Sequence, residues 1–334
     1  MSARETGLQR RRVTSSLTAD QLRDDQAMPR DDVPVLHLDR PIVDADLAYV
    51  EGTAHLVGST DAELVGVAAS VIGIGNRWDA ERFAQFPDLQ VISRMGIGYD
   101  NIDLDAARAA GVVVCNGPDS PTVSTAEHTM MLLLAITKEL PARSANSAAG
   151  QGAPKVATSL ELNGATLGLV GLGRIGSRVA VASQALGMNV VAYDPALSSS
   201  AIEGVEIVSL DELFRTAHVV SLHAPSIPAT RHLVDATSIA TMRRGVYIIN
   251  CARGPLIDQP ALLAALEEGH VAGAGLDVTE PEPLPMGHPL LGRLDVIVTP
   301  HVASSTAAGR RRLFEHAVDN AIAVLAGRSA SVVT

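Results

Sequence analysis

Aromatic side chains are scarce in this sequence, with one Trp, four Tyr and four Phe among 334 residues. That scarcity removes the stacking platforms on which single-stranded nucleic acids are held. No Lys/Arg-rich block stands out either, and 37 acidic residues outnumber 26 basic ones for a formal charge of −11. Phosphate neutralisation needs clustered cations, so neither a nucleic acid nor an anionic membrane surface is an expected partner. Only two cysteines occur, Cys115 and Cys251. They are too few for a disulfide framework or a Cys-rich zinc site, no metal centre is expected, and the usage fits a reducing cytoplasm. No uninterrupted apolar run approaches the roughly 20 residues that a membrane-spanning helix needs. What the chain does have is core material: 47% of its residues are apolar, enough for one large domain or two smaller ones. The composition describes a soluble protein.

Residues 1–32 carry Arg4, Arg10, Arg11, Arg12, Arg23 and Arg30 beside an equal number of acids, with little apolar periodicity. The run Arg10–Arg12 is not followed by an apolar stretch, and transit peptides are poor in acid, so a solvated tail is expected rather than an address signal. Met28 is a candidate alternative start. From Val33 onward, short apolar runs alternate with helical stretches. Val33–Leu38, Ser70–Ile74 and Leu89–Ser93 are expected strands, and Thr125–Leu140 a long apolar helix, followed by a connection over Ser144–Ser159 with little core content. The pattern then restarts. Strands are expected at Thr166–Gly171, Asn189–Tyr193, His218–Leu222, Val246–Asn250, Ala272–Val278 and Val296–Thr299, with helices at Arg174–Leu186 and Ala307–Leu325. Strand-and-helix alternation predicts an α/β fold with parallel sheets covered on both faces, and the restart predicts two such units.

The restart carries Gly171, Gly173 and Gly176 in GxGxxG spacing. Glycine turns are common, but this one follows an apolar strand, opens a helix and is followed by a second strand ending in Asp194. That setting matches the dinucleotide-binding turn. The first glycine permits the tight bend and the second lets backbone approach a pyrophosphate. The third allows close helix–strand packing, and the helix N-terminus offers free N–H groups. Asp194 can accept hydrogen bonds from both adenosine ribose hydroxyls. No Arg or Lys follows in Pro195–Ser200 to receive a 2′-phosphate, so NAD is expected over NADP.

Three segments place reactive residues after predicted strands, where open α/β sheets hold ligands. They are Val246–Gly254 with Arg253, Gly275–Pro283 with Glu280 and Glu282, and Val296–His301, where Pro300 stops the strand before His301. Reduction of a ketone by hydride needs little more. A guanidinium can grip a substrate carboxylate and polarise the carbonyl. An imidazole can protonate the developing alkoxide, and a carboxylate beside it would fix its tautomer and favour its charged form.

At these residues the chain resembles the D-isomer-specific 2-hydroxyacid dehydrogenase family, which includes phosphoglycerate, glyoxylate/hydroxypyruvate and D-lactate enzymes. The likeness runs from about Val33 to Leu325. Ser93–Asp103 resembles the family's substrate loop, Leu167–Gly176 its cofactor turn and Asn250–Gly254 its arginine segment. Leu276–Leu284 resembles its acidic loop and Thr299–His301 its histidine. The resemblance implies that Arg253 binds and polarises the substrate, that His301 is the acid/base and that Glu282, directly before Pro283 and five positions after Asp277, is its partner. It implies cofactor contacts at Gly171, Gly173, Arg174, Ile175, Gly176, Asp194, Ala252 and Asp277. It also implies a substrate cradle at Gly96 and Ile97 within reach of Arg94. It further implies two Rossmann-like domains, with residues 126–302 as the NAD-binding insert and residues 33–125 plus 303–334 as the substrate domain, and a homodimer formed through the cofactor domain.

Departures narrow the reading. Pro255 and Cys251 replace a more usual Gly and Thr or Ser, at positions that do no chemistry. The sequence runs fewer than ten residues beyond Leu325, so the serine feedback of long phosphoglycerate dehydrogenases is not expected. The Arg-Ser pair that meets a substrate phosphate is missing near Gly73–Ile74. Arg77 could replace it only from a shifted loop, which favours small unphosphorylated 2-keto acids. Glu282 argues against formate, and Ile97 argues against phosphite. Val302–Thr306 lacks the Trp of the corepressor relatives, so an enzyme is favoured over an NAD-sensing binding protein.

Overall fold

The computed structural model describes residues 33–73, 75–152 and 159–334. The expected tail and the alternative start at Met28 lie outside the described residues. Two sheets of parallel strands carry the fold, with one antiparallel bridge from Cys115 to Val332 at the edge of the first. The first has strands β1 (Val35–Leu38), β2 (His55–Val57), β3 (Ala69–Ile72), β4 (Val91–Arg94) and β5 (Val113–Cys115) in the order β2-β1-β3-β4-β5. The second has β6 (Thr166–Val170), β7 (Asn189–Tyr193), β8 (Val205–Ile207), β9 (Val219–Leu222), β10 (Val246–Asn250), β11 (Val271–Leu276) and β12 (Val296–Val298). Its order is β12-β11-β10-β9-β6-β7-β8. Both orders reverse direction at a central strand, as doubly wound sheets do, and such reversal points are where ligand crevices open.

Burial explains why these segments are strands. All five residues of β10 are buried, as are all four of β3, β4 and β9. A strand covered on both faces needs an unbroken apolar run rather than alternation. In the first sheet, one face packs on the C-terminal helix Ala307–Leu325 through Phe314, Ala317, Val318 and Ala321. The other packs on Trp78, Phe83 and Phe86. In the second sheet, β11 is threaded with glycines because a helix lies directly on it. A Cβ on Gly273 would come within 2.8 Å of Ile136, and one on Gly275 within 3.0 Å of Leu132. Both partners belong to the long helix Thr122–Thr137.

That helix starts three residues earlier than its periodicity predicts. It is followed by a second helix, Leu140–Ala148, which takes in the first five residues of the connection expected over Ser144–Ser159; positions 153–158 of that connection lie outside the described residues. The second helix buries none of its residues, and Glu139, at φ 54°, turns the chain between the two. Ala-rich sequence keeps a helix while covering no core, so low burial did not mean irregular backbone. The chain crosses between the sheets twice, before Thr122 and after Thr299. The two crossings touch where Ser124 Oγ lies 2.8 Å from Thr306 Oγ1. Among the described residues, no helix is long and apolar enough to cross a membrane.

Candidate active site

The turn after β6 is built from contacts that only glycine allows. A Cβ on Gly171 would lie 2.7 Å from the His223 carbonyl oxygen, and one on Gly176 would lie 2.4 Å from the Gly171 carbonyl oxygen. Gly173 differs, because nothing lies within 4 Å of its Cβ position and its face is open to an approaching ligand. Gly173 also caps the helix Arg174–Ala185, whose first residues are Arg174 and Ile175 and whose first turn holds no acid. Its orphan N–H groups and the positive end of its dipole therefore face outward. Asp194, at the tip of β7, braces the turn: Oδ2 accepts from Leu172 N and Oδ1 from Ala196 N, each at 3.0 Å. Burial pushes the His223 imidazole down to about 4, so it brings no charge beneath the turn. An open glycine face, a helix N-terminus and a carboxylate on the neighbouring strand are the parts a dinucleotide needs. The residues present fit it. Arg174 stands at the mouth of this groove, its Nε 2.6 Å from Asp119 Oδ1 in the first crossing.

A cleft of about 360 Å³ lies between the carboxyl ends of β4, β10, β11 and β12, and its walls include Arg94, Gly96, Ile97, Cys251, Arg253, Asp277, Glu282 and His301. Asn250, fully buried at the end of β10, shapes the loop that delivers the arginine. Its Nδ2 donates to Arg253 O at 2.8 Å and its Oδ1 accepts from Ala252 N at 3.0 Å. The Arg253 guanidinium then reaches across the cleft. Nε donates to Asp100 Oδ2 at 2.7 Å, Nη1 donates to Ala252 O at 2.7 Å, and Nη2 rests against Gly98. Two of the three nitrogens are thus anchored by protein, and among the described residues the third has no protein acceptor.

Arg94 is a second cation in the same wall, only 5% exposed. Burial, and then the neighbouring Arg253, push it down to about 10, against Asp39 and Asp100. Its Nη1 donates to Met95 O at 2.9 Å. In the adjoining turn, the Gly96 N–H donates to Arg94 O at 2.9 Å and is therefore engaged. Among the described residues, the N–H groups of Ile97 and Gly98 have no protein acceptor, so the free donors of this cradle sit one position later than Gly96. Arg77 is not part of the cleft: it is 81% exposed and its nearest acid, Asp79, is 3.9 Å away. The Cys251 thiol is pushed up to about 12 by burial and is no nucleophile.

His301 follows β12 at φ 53°, a left-handed conformation that costs a side chain energy and must be held. Asp277, 1% exposed at the end of β11, holds it: the His301 N–H donates to Asp277 O at 2.8 Å. The Asp277 carboxylate accepts from Val302 N at 2.9 Å and Ala303 N at 2.8 Å. The imidazole Nδ1 lies 2.6 Å from Glu282 Oε1. Burial pushes the Glu282 carboxyl up, but the His301 hydrogen bond and charge, with help from Thr279 and Arg253, outweigh it and hold the group below its ordinary range. Glu280 points elsewhere, to Arg231 at 3.0 Å. A carboxylate on Nδ1 leaves Nε2 to face the cleft.

Residues 130–303 match the family profile described as the D-isomer specific 2-hydroxyacid dehydrogenase, NAD binding domain. The chain belongs to this family. It is 41% identical over 299 residues to the D-3-phosphoglycerate dehydrogenase of Mycobacterium bovis, an alignment covering 89% of this chain and 54% of that one. This chain spans about half the length of the curated relatives it matches. Among solved structures, it is similar to the TT0316 protein from Thermus thermophilus (37% identity, TM-score 0.82, 90% of this chain and all of that one). It is also similar to a D-lactate dehydrogenase from Aquifex aeolicus complexed with NAD and lactic acid (30% identity, TM-score 0.77, 88% and 96% covered).

Within this D-2-hydroxyacid dehydrogenase frame, the residues singled out in the sequence collect into two adjoining regions. The glycine turn, Arg174 and Asp194 lie together at the start of the helix Arg174–Ala185, and Ile175 reaches from there into the cleft. Arg94, Gly96, Ile97, Cys251, Arg253, Asp277, Glu282 and His301 line the cleft. Sequence reasoning passes over Gly98, Asp100, His128 and Thr299. The first two lie inside the substrate-loop motif, but their service to Arg253, 153 residues beyond Asp100, is a tertiary fact with no local signal.

Proposed function

We propose that this chain is an NAD-dependent oxidoreductase that interconverts a small D-2-hydroxy acid and its 2-keto acid. The observation that carries the reading is the convergence of Arg253 and the Glu282–His301 pair on one cleft beside an open dinucleotide turn. The nicotinamide, when bound, supplies or takes up the hydride. Arg253, with the Ile97 and Gly98 amides, grips the substrate carboxylate and polarises the carbonyl. His301 Nε2 gives a proton to the developing alkoxide, while Glu282 on Nδ1 fixes the tautomer and stabilises the imidazolium.

The cations lining the cleft are Arg94 and Arg253, with Arg77 turned outward. That supply suits one carboxylate and a short side chain, so we assign the substrate to unphosphorylated 2-keto acids of two to three carbons. NADH oxidation by purified protein against glyoxylate, hydroxypyruvate, pyruvate, phenylpyruvate, 2-ketogluconate and 3-phosphohydroxypyruvate tests this. Turnover is expected on the first three. Preference for the phosphorylated acid would overturn the substrate assignment. NADH binding without turnover on any acid would point to a cofactor-sensing binding protein instead.

Because Glu282 is held as a carboxylate, its charge favours the protonated imidazole beside it. Reduction requires that protonated form. In Glu282→Gln the attraction is gone, so the pH above which reduction fades is expected to move down. An unchanged pH profile of kcat/KM would remove Glu282 from this role.

The exposed face of the long helix carries Met131 and Leu134, continued by Leu140. Grouped apolar residues on a surface mark association sites, and we infer a homodimer through this face. A monomer by light scattering would overturn it. Both cysteines are free and buried, which suits a reducing compartment, and we place the protein in the cytoplasm, to be checked by cell fractionation.

A further inference from the structure

Next to the cleft, and reaching its lining only at Asp277, lies a polar chain that the mechanism leaves unused. His128 sits on the long helix Thr122–Thr137, and its Nε2 is 3.0 Å from Thr299 Oγ1. Thr299 Oγ1 is in turn 2.6 Å from Asp277 Oδ1. The direction of the hydrogen bonds follows from the chemistry. An ionised carboxylate only accepts, so the single Thr299 hydroxyl proton goes to Asp277. The hydroxyl oxygen must then accept from His128, which places a proton on His128 Nε2. His128 Nε2 is also 3.5 Å from Asp277 Oδ1 itself.

Asp277 is the anchor of the strained histidine loop. Its carbonyl takes the His301 N–H and its two carboxylate oxygens take the Val302 and Ala303 N–H groups. A left-handed His301 persists only while these bonds over-determine its backbone. The orientation of a buried carboxylate is set by all its donors, so the Thr299 hydroxyl and the His128 imidazole help to fix the plane in which Asp277 meets residues 302 and 303. The chain therefore runs from His128 through Thr299 and Asp277 to the backbone of His301, and ends at the Nδ1–Glu282 contact of 2.6 Å.

We propose that Thr299 and His128 are positioning residues for the acid/base: they hold His301 at its working distance from Glu282 and from substrate, without touching either. This inference rests on the oxidoreductase reading above. The charged groups facing the cleft around His301 are Glu282, Arg253, Arg94, Asp100 and Asp277, and of these Asp277 is the one that Thr299 and His128 touch. A movement of the pH profile then reaches His301 through Asp277, the group that holds its backbone.

The test compares Thr299→Val, which keeps the shape and removes the hydroxyl, with Thr299→Ser, which restores it. His128→Leu is compared in the same way with His128→Gln, which keeps a donor. With the best keto acid of the panel, Thr299→Val and His128→Leu are expected to lower kcat by roughly 10-fold to 100-fold, since misplacing a reacting group by about 1 Å costs that much. The keto-acid KM should change little. The pH above which reduction fades should move down, as in Glu282→Gln but less far. Thr299→Ser and His128→Gln should recover most of kcat. NADH affinity, read by fluorescence quenching, should stay within about threefold of the parent in all four, because neither residue faces the dinucleotide turn. A purely structural role would lower the melting temperature and leave the pH profile in place, and that result overturns the proposal, as does loss of kcat in Thr299→Ser equal to that in Thr299→Val. If the unmodified protein reduces no keto acid, the oxidoreductase reading itself fails; if it does and Thr299→Val matches it, only the positioning role fails.

Discussion

Replacing His301 by Asn is expected to lower kcat for keto-acid reduction by about 10²- to 10⁴-fold, the usual contribution of a positioned general acid, while NADH affinity stays near that of the parent. Asn is chosen over Ala because position 301 is left-handed, at φ 53°. Asn tolerates that conformation better than other residues lacking an acid/base group, so the fold of residues 299–303 is preserved. The amide can still donate to Glu282, which keeps the carboxylate from being stranded without its partner. What is lost is a proton that can be given to an alkoxide at neutral pH. If kcat/KM falls by less than about threefold, the proton comes from elsewhere, and the 2.6 Å pair of His301 and Glu282 is structural.

The second sheet was largely legible in sequence because its strands are apolar runs between punctuating residues. β7 and β10 end where their apolar runs end, and the last helix, Ala307–Leu325, has the bounds its periodicity predicts. The three-residue strands β2, β5 and β8 are too short to show a period. β2 is only half-buried along its length, so its composition carries no core signal either. In the site, residues that lie in motifs could be read, because each motif is a backbone requirement: a bend at Gly171, a strand end before Arg253, a stop before His301. Glu280 and Glu282 each precede a proline, so composition does not separate them; the family's spacing after Asp277 selects Glu282, and the fold sends Glu280 to Arg231 and Glu282 to His301. The seat of Arg253 on Gly98 and Asp100 was hidden, since it joins one sheet's loop to the other's.

That seat makes Gly98→Ala the most economical way to disable the arginine without touching it. A Cβ at position 98 would lie 1.4 Å from Arg253 Nη2 and 2.6 Å from Cζ, so the guanidinium must leave. The same Cβ would stand 2.9 Å from Asp100 Oδ2, which accepts from Arg253 Nε, so the ion pair is pushed from both ends. Nothing in the backbone opposes the substitution: Gly98 is not among the glycines with positive φ, and its three nearest neighbours are side-chain atoms of Arg253 and Asp100. The melting temperature should therefore hold, whereas kcat/KM for reduction should fall by about 10²-fold or more, because a displaced guanidinium neither grips the carboxylate nor faces the carbonyl. The loss should appear in the keto-acid KM as well as in kcat, since Arg253 acts on ground state and transition state alike. Combining Gly98→Ala with Arg253→Ala should cost little beyond Arg253→Ala alone, the signature of two changes acting through one group. Additive losses would mean that the added methyl obstructs the substrate itself and does not act through the arginine that rests on Gly98.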